Sequence, residues 1–451
     1  MAVEADVVVL GLGVGGEEVA GKLAAAGLSV VGIEHRLVGG ECPYWGCVPS
    51  KMMIRAANLL AEARRIEGMA GRADVRPDWS PVAKRIREEA TDDWDDAAAV
   101  KRFTDRGGRF VRGYGRLVAP GVVAVGDDEF RARRGIVIGT GTAPRIPALD
   151  GLAGTPYWTN REALEVEEPP DSLLILGGGA IGLELAQVYA RFGVRVTVIE
   201  PSGRLLGMEE PESSAVVTRA LEADGVTVRT GTTAQRVEYA NEFRLTVAGG
   251  ELLSAAALLV ATGRQAKLDD LGLETVGLDP SARFIATDER MRAADGVWAV
   301  GDVTGKGAFT HVAMYQAGIV IRDVLGRPGP PAGYHALPRV TFTDPEIGAV
   351  GLTERQAREA GLTVRVGFTE LADSSRGWIH KAGNDGFIKV IADADRGVLV
   401  GATSAGPAGG EVLAGLLVAV HAEVPVERLA SMIYPYPTFH RAIEAALADL
   451  G

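Results

Sequence analysis

Cysteine is nearly absent from this 451-residue chain: only Cys42 and Cys47 occur. Two sulfurs are too few for a secreted disulfide scaffold. Histidine is scarce as well, and the six at positions 35, 311, 335, 380, 421 and 440 lack the paired spacing of a zinc site; no metal is expected. Positive charge is in deficit. With 47 Lys and Arg against 59 Asp and Glu the net charge is −12, which argues against a nucleic-acid partner or an anionic membrane surface. Long apolar runs are missing too: residues 412–420, broken at Gly415, fall far short of the ~20 needed for a membrane span. Residues 7–10 are apolar, but Glu4 and Asp6 stand where a signal peptide carries positive charge. The reading is a cytoplasmic protein. Hydrophobic residues at 47% and charged residues at 24% exclude a disordered or fibrous chain. The length, above the ~100 to 200 residues of one domain, predicts two to four domains.

Glycine is abundant, 59 residues against a norm of roughly 7%, and it clusters beside apolar strands. Residues 5–34 read as strand, glycine turn, helix, strand, with Gly11, Gly13 and Gly16 in G-x-G-x-x-G order. A second copy begins at Ser172, with Gly177, Gly179 and Gly182. One such turn is weak evidence, because strand-to-helix turns also use glycine for packing. Here each copy reaches a carboxylate 23 positions after its first glycine, Glu34 and Glu200. The glycines let the turn approach a pyrophosphate, the helix N-terminus supplies partial positive charge, and the carboxylate accepts from a ribose hydroxyl. Two dinucleotide-binding modules are predicted. A carboxylate at Glu200 repels a 2′-phosphate, so NAD(H) is favoured over NADP(H), although Arg204 nearby could tolerate a phosphate.

The two cysteines fall in GGECPYWGCVPSK, residues 39–51. In a reducing compartment a close pair serves redox or metal chemistry more often than stapling. On a regular helix the pair lies ~7.5 Å apart along the axis at ~1.5 Å per residue, beyond the ~4.4 to 6.8 Å between Cα atoms that a disulfide tolerates. The helix is therefore expected to start irregularly, with Pro43 at its first position and Cys42 at its N-terminus, where the dipole stabilises a thiolate. Gly46 would let a flat ring approach beside Cys47.

With these motifs the chain resembles the flavoprotein pyridine nucleotide:disulfide oxidoreductases, the family of dihydrolipoamide dehydrogenase, glutathione reductase and mercuric reductase. The likeness spans the whole chain through IGTGTAPRIP at 138–147, ATGR at 261–264, VWAVGD at 297–302 and TFTDPEIGAVGLTE at 341–354. It implies an α/β fold with two Rossmann-like dinucleotide-binding domains and a C-terminal α+β interface domain. The expected divisions are 1–146 and 267–334 for FAD, 147–266 for NAD(P), and 335–451 for dimerisation. FAD is expected on the first module, with Glu34 at the adenosine ribose, Asp302 at the ribityl chain, and His311 to Ala313 at the flavin pyrimidine edge. Gly141 and Gly263 belong to its cofactor-binding motifs. Cys47 is implied as the thiol facing the flavin, Cys42 as the one exchanging with a small-molecule substrate, Lys51 as a lysine near flavin N5, and Glu184 as its ion-pair partner. The family also implies a homodimer whose active site is shared between subunits.

One motif departs from the family. Its disulfide reductases end in His-Pro-Thr-x-x-Glu, whose histidine exchanges protons with the partner subunit's thiol. Here the segment is Tyr436-Pro437-Thr438-Phe439-His440-Arg441. Tyrosine titrates near ~10 rather than ~6.5 and arginine cannot accept an imidazole hydrogen bond. His440 is a candidate substitute, on the face of Tyr436 if the segment is helical. Tyr434, Tyr436, Tyr44 and Trp45 add aromatic surface suited to a flat acceptor. Three readings stay open: electron transfer between NAD(P)H and a disulfide through FAD and Cys42–Cys47, reduction of a quinone or similar acceptor that needs no histidine base, and a flavin-binding subunit of a larger complex.

Overall fold

The apolar run that opens the chain folds as the strand Val3–Leu10, with its last four residues all buried. An unalternating run is what a strand covered on both faces requires. The computed structural model describes residues 3–450, and this strand lies inside an eight-stranded sheet. The parallel order is Val297–Ala299, Asp128–Ile138, Val3–Leu10, Val30–Glu34, Arg109–Arg112. One face packs on the helices Val14–Ala25 and Thr310–Val324, burying Val7, Val9, Val19, Leu23, Ala317 and Val320 together. Helices on a parallel sheet leave the turn after the first strand open at the sheet's carboxyl edge, where such folds bind ligands.

The described chain divides into two compact units, Met1–Ser50 with Lys84–Arg145 and Gly263–Gly333, and Lys51–Ala83 with Ile146–Thr262 and Tyr334–Gly451. The first contains the sheet above. The second contains a four-stranded parallel sheet in the order Thr227–Arg229, Arg195–Ile199, Ser172–Leu176, Ala257–Val260. It also holds a three-stranded antiparallel sheet and a five-stranded antiparallel one ordered Pro338–Thr341, Glu346–Gly351, Val398–Gly406, Phe387–Asp393, Val364–Glu370. The apolar run at 412–420 lies within the helix Gly409–His421, which packs with Ala442–Ala448 on that last sheet. The architecture is therefore α/β, with two Rossmann-type sheets and a C-terminal α+β region. Among the described residues no helix is long and apolar enough to cross a membrane.

Inside the second unit Lys389 is 2% exposed, yet its ammonium lies 3.0 Å from carboxylate oxygens of Glu210, Glu212 and Glu354. Burial works to lower its pKa, and the three carboxylates outweigh that and hold it above the ordinary lysine value. Strand Phe387–Asp393 is thereby joined to the start of helix Pro211–Ala223.

Candidate active site

The first glycine turn is shaped by backbone contact. Gly11 has φ +85°, and a Cβ there would lie 2.6 Å from the Gly139 carbonyl oxygen; one on Gly16 would lie 2.0 Å from that of Gly11. Gly13, which caps the helix Val14–Ala25, has only the Gly139 oxygen within reach, at 3.9 Å. Two glycines close the turn and the middle one leaves space for a ligand. Glu34 is buried. Its carboxylate accepts from the amides of Leu12 at 2.9 Å and Arg36 at 2.8 Å, and His35 Nδ1 lies 3.2 Å away. Burial alone would raise this carboxyl, but those bonds prevail and keep its pKa below the ordinary value.

In the same unit Asp302 lies in the short turn Gly301–Thr304 and accepts from Thr142 Oγ1 at 2.9 Å. Arg264 donates to that hydroxyl at 2.8 Å and to the Thr142 carbonyl at 2.7 Å. Burial pushes the Asp302 carboxyl above its ordinary pKa, with Thr142 and Arg264 opposing. Gly141 at φ +67° and Gly263 at φ +111° supply left-handed backbone beside it. Ala313 is buried near Gly15, whose Cβ position is 3.3 Å from the Ala313 Cβ, while His311 is exposed and stacks on Phe309 at 5.1 Å. A glycine cradle, a carboxylate at the end of the second strand and a half-buried aspartate fit a dinucleotide such as FAD.

The cysteine segment differs from its expected form. Glu41–Trp45 is a separate short helix with Pro43 as its third residue, and Gly46, at φ −139° and ψ −118°, breaks the chain before Cys47 opens the helix Cys47–Arg64. The irregularity needed to bring the sulfurs together thus lies between the cysteines rather than ahead of them. Gly46 is required by its own backbone: a Cβ would lie 3.0 Å from the Glu41 carbonyl oxygen. No disulfide joins the two cysteines. Cys42 is the second residue of the short helix; its hydrogen bond with Cys47 and its burial push its pKa up, with Thr310 opposing. The Thr310 hydroxyl lies 3.3 Å from the Cys47 sulfur. Thr310 carries no motif of its own, and its one signal is that it precedes His311.

In the second unit the glycine turn repeats. A Cβ on Gly177, at φ +113°, would lie 2.4 Å from the Ala261 oxygen, one on Gly182 would lie 2.5 Å from the Gly177 oxygen, and Gly179 faces open space. Glu200 accepts from the amides of Gly178 and Ser202, each at 2.7 Å. Arg204 is not aimed at a phosphate: it donates to the carbonyls of Leu206, Gly207 and Glu209 at 3.1, 3.0 and 2.8 Å. Glu184, 6% exposed, accepts from Lys51 Nζ at 2.8 Å and from the Phe342 amide at 2.8 Å. The Lys51 ammonium also lies 4.6 Å from the centre of the Phe342 ring.

The segment after Tyr434 is not one helix. Tyr436 is 67% exposed, with the Arg441 guanidinium 5.5 Å from its ring centre, and Arg441 pairs with Glu444 at 3.0 Å. His440 sits in the turn Phe439–Arg441, 5.3 Å from the Tyr434 ring, and lines an open cavity of about 480 Å³ with Arg376, Glu411 and Phe439. Tyr436 and His440 therefore do not share a helical face. The aromatic surface is also smaller than expected: Tyr434 is buried with its hydroxyl donating to the Leu429 carbonyl at 3.0 Å, and Tyr44 is buried as well.

Residues 5–317 match the family described as Pyridine nucleotide-disulphide oxidoreductase, and residues 337–447 match its dimerisation domain. The chain is 32% identical over 462 residues to Dihydrolipoyl dehydrogenase of Chlorobaculum tepidum, covering 100% of this chain and 97% of that one. It is 33% identical over 453 residues to Mercuric reductase of Streptomyces lividans, covering 98% and 95%. Among solved structures, the Cu(II) complex of HOCl-induced flavoprotein disulfide reductase RclA from Escherichia coli superposes with TM-score 0.87 at 26% identity, over 99% of each chain. A likeness running from end to end leads to one conclusion: the protein belongs to the pyridine nucleotide-disulphide oxidoreductase family, enzymes that use FAD and NAD(P)H to move electrons to or from a disulfide.

Proposed function

We propose that the chain works as a homodimer, with an active site shared between subunits, that passes electrons from NADH to a small disulfide or runs the reverse oxidation of a dithiol of the dihydrolipoyl type. One observation carries this reading: the two cysteines bracket the Gly46 break, with the Thr310 hydroxyl 3.3 Å from the Cys47 sulfur. FAD, when bound, supplies a two-electron carrier between nicotinamide and sulfur. Gly11, Gly13, Gly16, Glu34, Gly141, Gly263, Asp302, His311 and Ala313 would hold it, and Gly177, Gly179, Gly182 and Glu200 would serve the nicotinamide cofactor. Lys51, fixed by Glu184, keeps a positive charge in place. The divisions 1–146, 147–266, 267–334 and 335–451 are part of this proposal. So is a reducing, cytoplasmic setting, which suits a chain with only two cysteines.

In the reductive direction Cys42 attacks one sulfur of the substrate disulfide as a thiolate and expels the other half as a thiolate. Cys47 then attacks Cys42, closing the Cys42–Cys47 disulfide and releasing the second half. The two protons of the original thiols end on the two product thiols. Because the Cys42 thiol is held above its ordinary pKa, the thiolate fraction grows with pH throughout the neutral and mildly alkaline range. Disulfide turnover is expected to rise by up to ~10-fold per pH unit from pH 7 to 9. A stopped-flow pH profile that is flat over that range would assign the proton to another group.

The bonds of Arg204 bear on cofactor choice. Replacing Glu200 with alanine is expected to raise KM for NADH by ~10-fold, the loss of one charge-assisted bond, with NADPH use changed by less than ~3-fold because Arg204 remains committed to carbonyls. Steady-state kinetics with both nucleotides tests this, and a ~100-fold gain with NADPH would show that Arg204 is free to take the phosphate.

A second reading, reduction of a quinone or comparable flat acceptor, is favoured by exposed Tyr436 beneath the Arg441 guanidinium, where the family carries its histidine. Turnover of lipoamide, glutathione disulfide and a quinone with NADH and with NADPH separates the two. A flavin that NADH fails to reduce would support a docked subunit instead.

A further inference from the structure

Residues 91–96 of the first unit form an unusual turn. A short π-helix, Ile86–Ala90, ends in three consecutive non-glycine residues with left-handed backbone: Asp92 at φ 50°, Asp93 at φ 55° and Trp94 at φ 55°. Aspartate tolerates this region, but a residue as bulky as tryptophan is an outlier there, and such strain persists only where the surroundings over-determine it. They do so here. Thr91 Oγ1 donates to the Ile86 and Arg87 carbonyls at 3.0 and 3.1 Å, the Asp93 amide donates to the Arg87 carbonyl at 2.8 Å, and that of Asp95 to Asp92 at 3.0 Å.

The turn is aimed at the cysteine segment. Trp94 Nε1 donates to the backbone carbonyl of Tyr44, midway between Cys42 and Cys47, at 3.3 Å. The Tyr44 hydroxyl donates back to the Asp95 carbonyl at 3.5 Å. That phenol stays protonated, because burial and the nearby Asp96 and Glu17 carboxylates push its pKa up to about 12. At the end of the turn buried Asp96 accepts from the Val38 amide at 2.7 Å, just before the glycines that lead into the cysteines, and is held by Arg112 at 2.6 Å. Three residues of the turn, Trp94, Asp95 and Asp96, thus grip the redox segment at its entrance and in its middle.

We propose that Trp94 is a positioning residue for the Cys42–Cys47 couple: by fixing the Tyr44 carbonyl from a strained turn it holds the two sulfurs at a separation that favours disulfide closure. The inference rests on that pair being the redox couple. Two thiols within hydrogen-bonding reach on a rigid backbone have a high effective concentration for one another, and loosening the segment lowers it. Without the clamp the dithiol gains relative to the disulfide.

The test equilibrates FAD-loaded protein, without nucleotide, in glutathione buffers of defined ratio. Protein dithiol and glutathione disulfide convert to protein disulfide and two glutathiones, and the fraction is read by alkylation and mass shift. Trp94→Phe keeps the ring and removes the donor; it is expected to shift the equilibrium toward the dithiol by three- to tenfold, the range of one hydrogen bond. Tyr44→Phe, which removes only the longer bond, is expected to shift it the same way by about twofold, and it decides the matter if Trp94→Phe does not fold. Equilibria unchanged from wild type, or displaced toward the disulfide, overturn the proposal. A wild-type protein whose cysteines never close under any ratio overturns the parent assignment instead, so the two failures are distinguishable. A purely structural contribution of Trp94 lowers thermal stability and leaves the sulfur equilibrium where it was.

Discussion

Replacing Cys47 with serine is expected to lower disulfide turnover by at least ~10³-fold, as removal of an essential nucleophile does elsewhere. Without its sulfur the mixed disulfide on Cys42 cannot be resolved within the protein. Rapid mixing with NADH should still reduce the flavin, because the glycine cradles and Glu200 are untouched. In the wild type, anaerobic titration should take up four electrons, with long-wavelength absorbance at the two-electron stage from a thiolate beside the flavin. That absorbance should vanish in Cys47→Ser and survive in Cys42→Ser. Its persistence without Cys47 would move the flavin-facing role to Cys42, and with it the role of Thr310, whose hydroxyl is 3.3 Å from Cys47.

The second large effect concerns the segment that departs from the family. Tyr436→His alone should leave disulfide turnover within about threefold of wild type: the new imidazole would stand beside the Arg441 guanidinium, which disfavours its protonated form and offers no acceptor. Combining it with Arg441→Glu removes the opposing charge and supplies a carboxylate. The double variant is expected to gain ~10²-fold, the lower end of what a positioned general acid-base contributes. A gain of that size from the single change would show that orientation by a carboxylate is dispensable. If instead His440 provides the proton, His440→Gln should lower wild-type turnover and the double variant should add little. His440 has a place in an open groove but packs against Tyr434 rather than beside Tyr436.

Both glycine turns were legible because their signals are local: glycines that only a left-handed or crowded backbone requires, followed by a carboxylate at a fixed strand distance. The cysteine spacing likewise called for a break in the helix. Its position was not legible, since it depends on how closely a side chain at Gly46 would approach the Glu41 carbonyl. Lys51 and Glu184 lie 133 residues apart, and composition or periodicity could not pair them; the family likeness did. Thr310, 263 residues from Cys47, was out of reach for the same reason. Arg204 seemed free for a phosphate because the loop carbonyls that engage it come within its reach only once the loop closes. The assumed helical face of Tyr436 and His440 failed on Pro437, which biases the residue before it away from helix.

Lys389 bears on how freely this protein can be recombined with its relatives. A chimera that keeps one parent's nucleotide-binding stretch and takes its C-terminal sheet from another would separate the ammonium from Glu210 and Glu212, stranding two carboxylates, one of them fully enclosed, without their cation. Leaving a buried charge uncompensated typically costs about 3–5 kcal/mol, a large share of the stability of an ordinary domain. Crossovers placed at a sequence boundary between the two regions must therefore transfer the lysine and its glutamates as one inherited set.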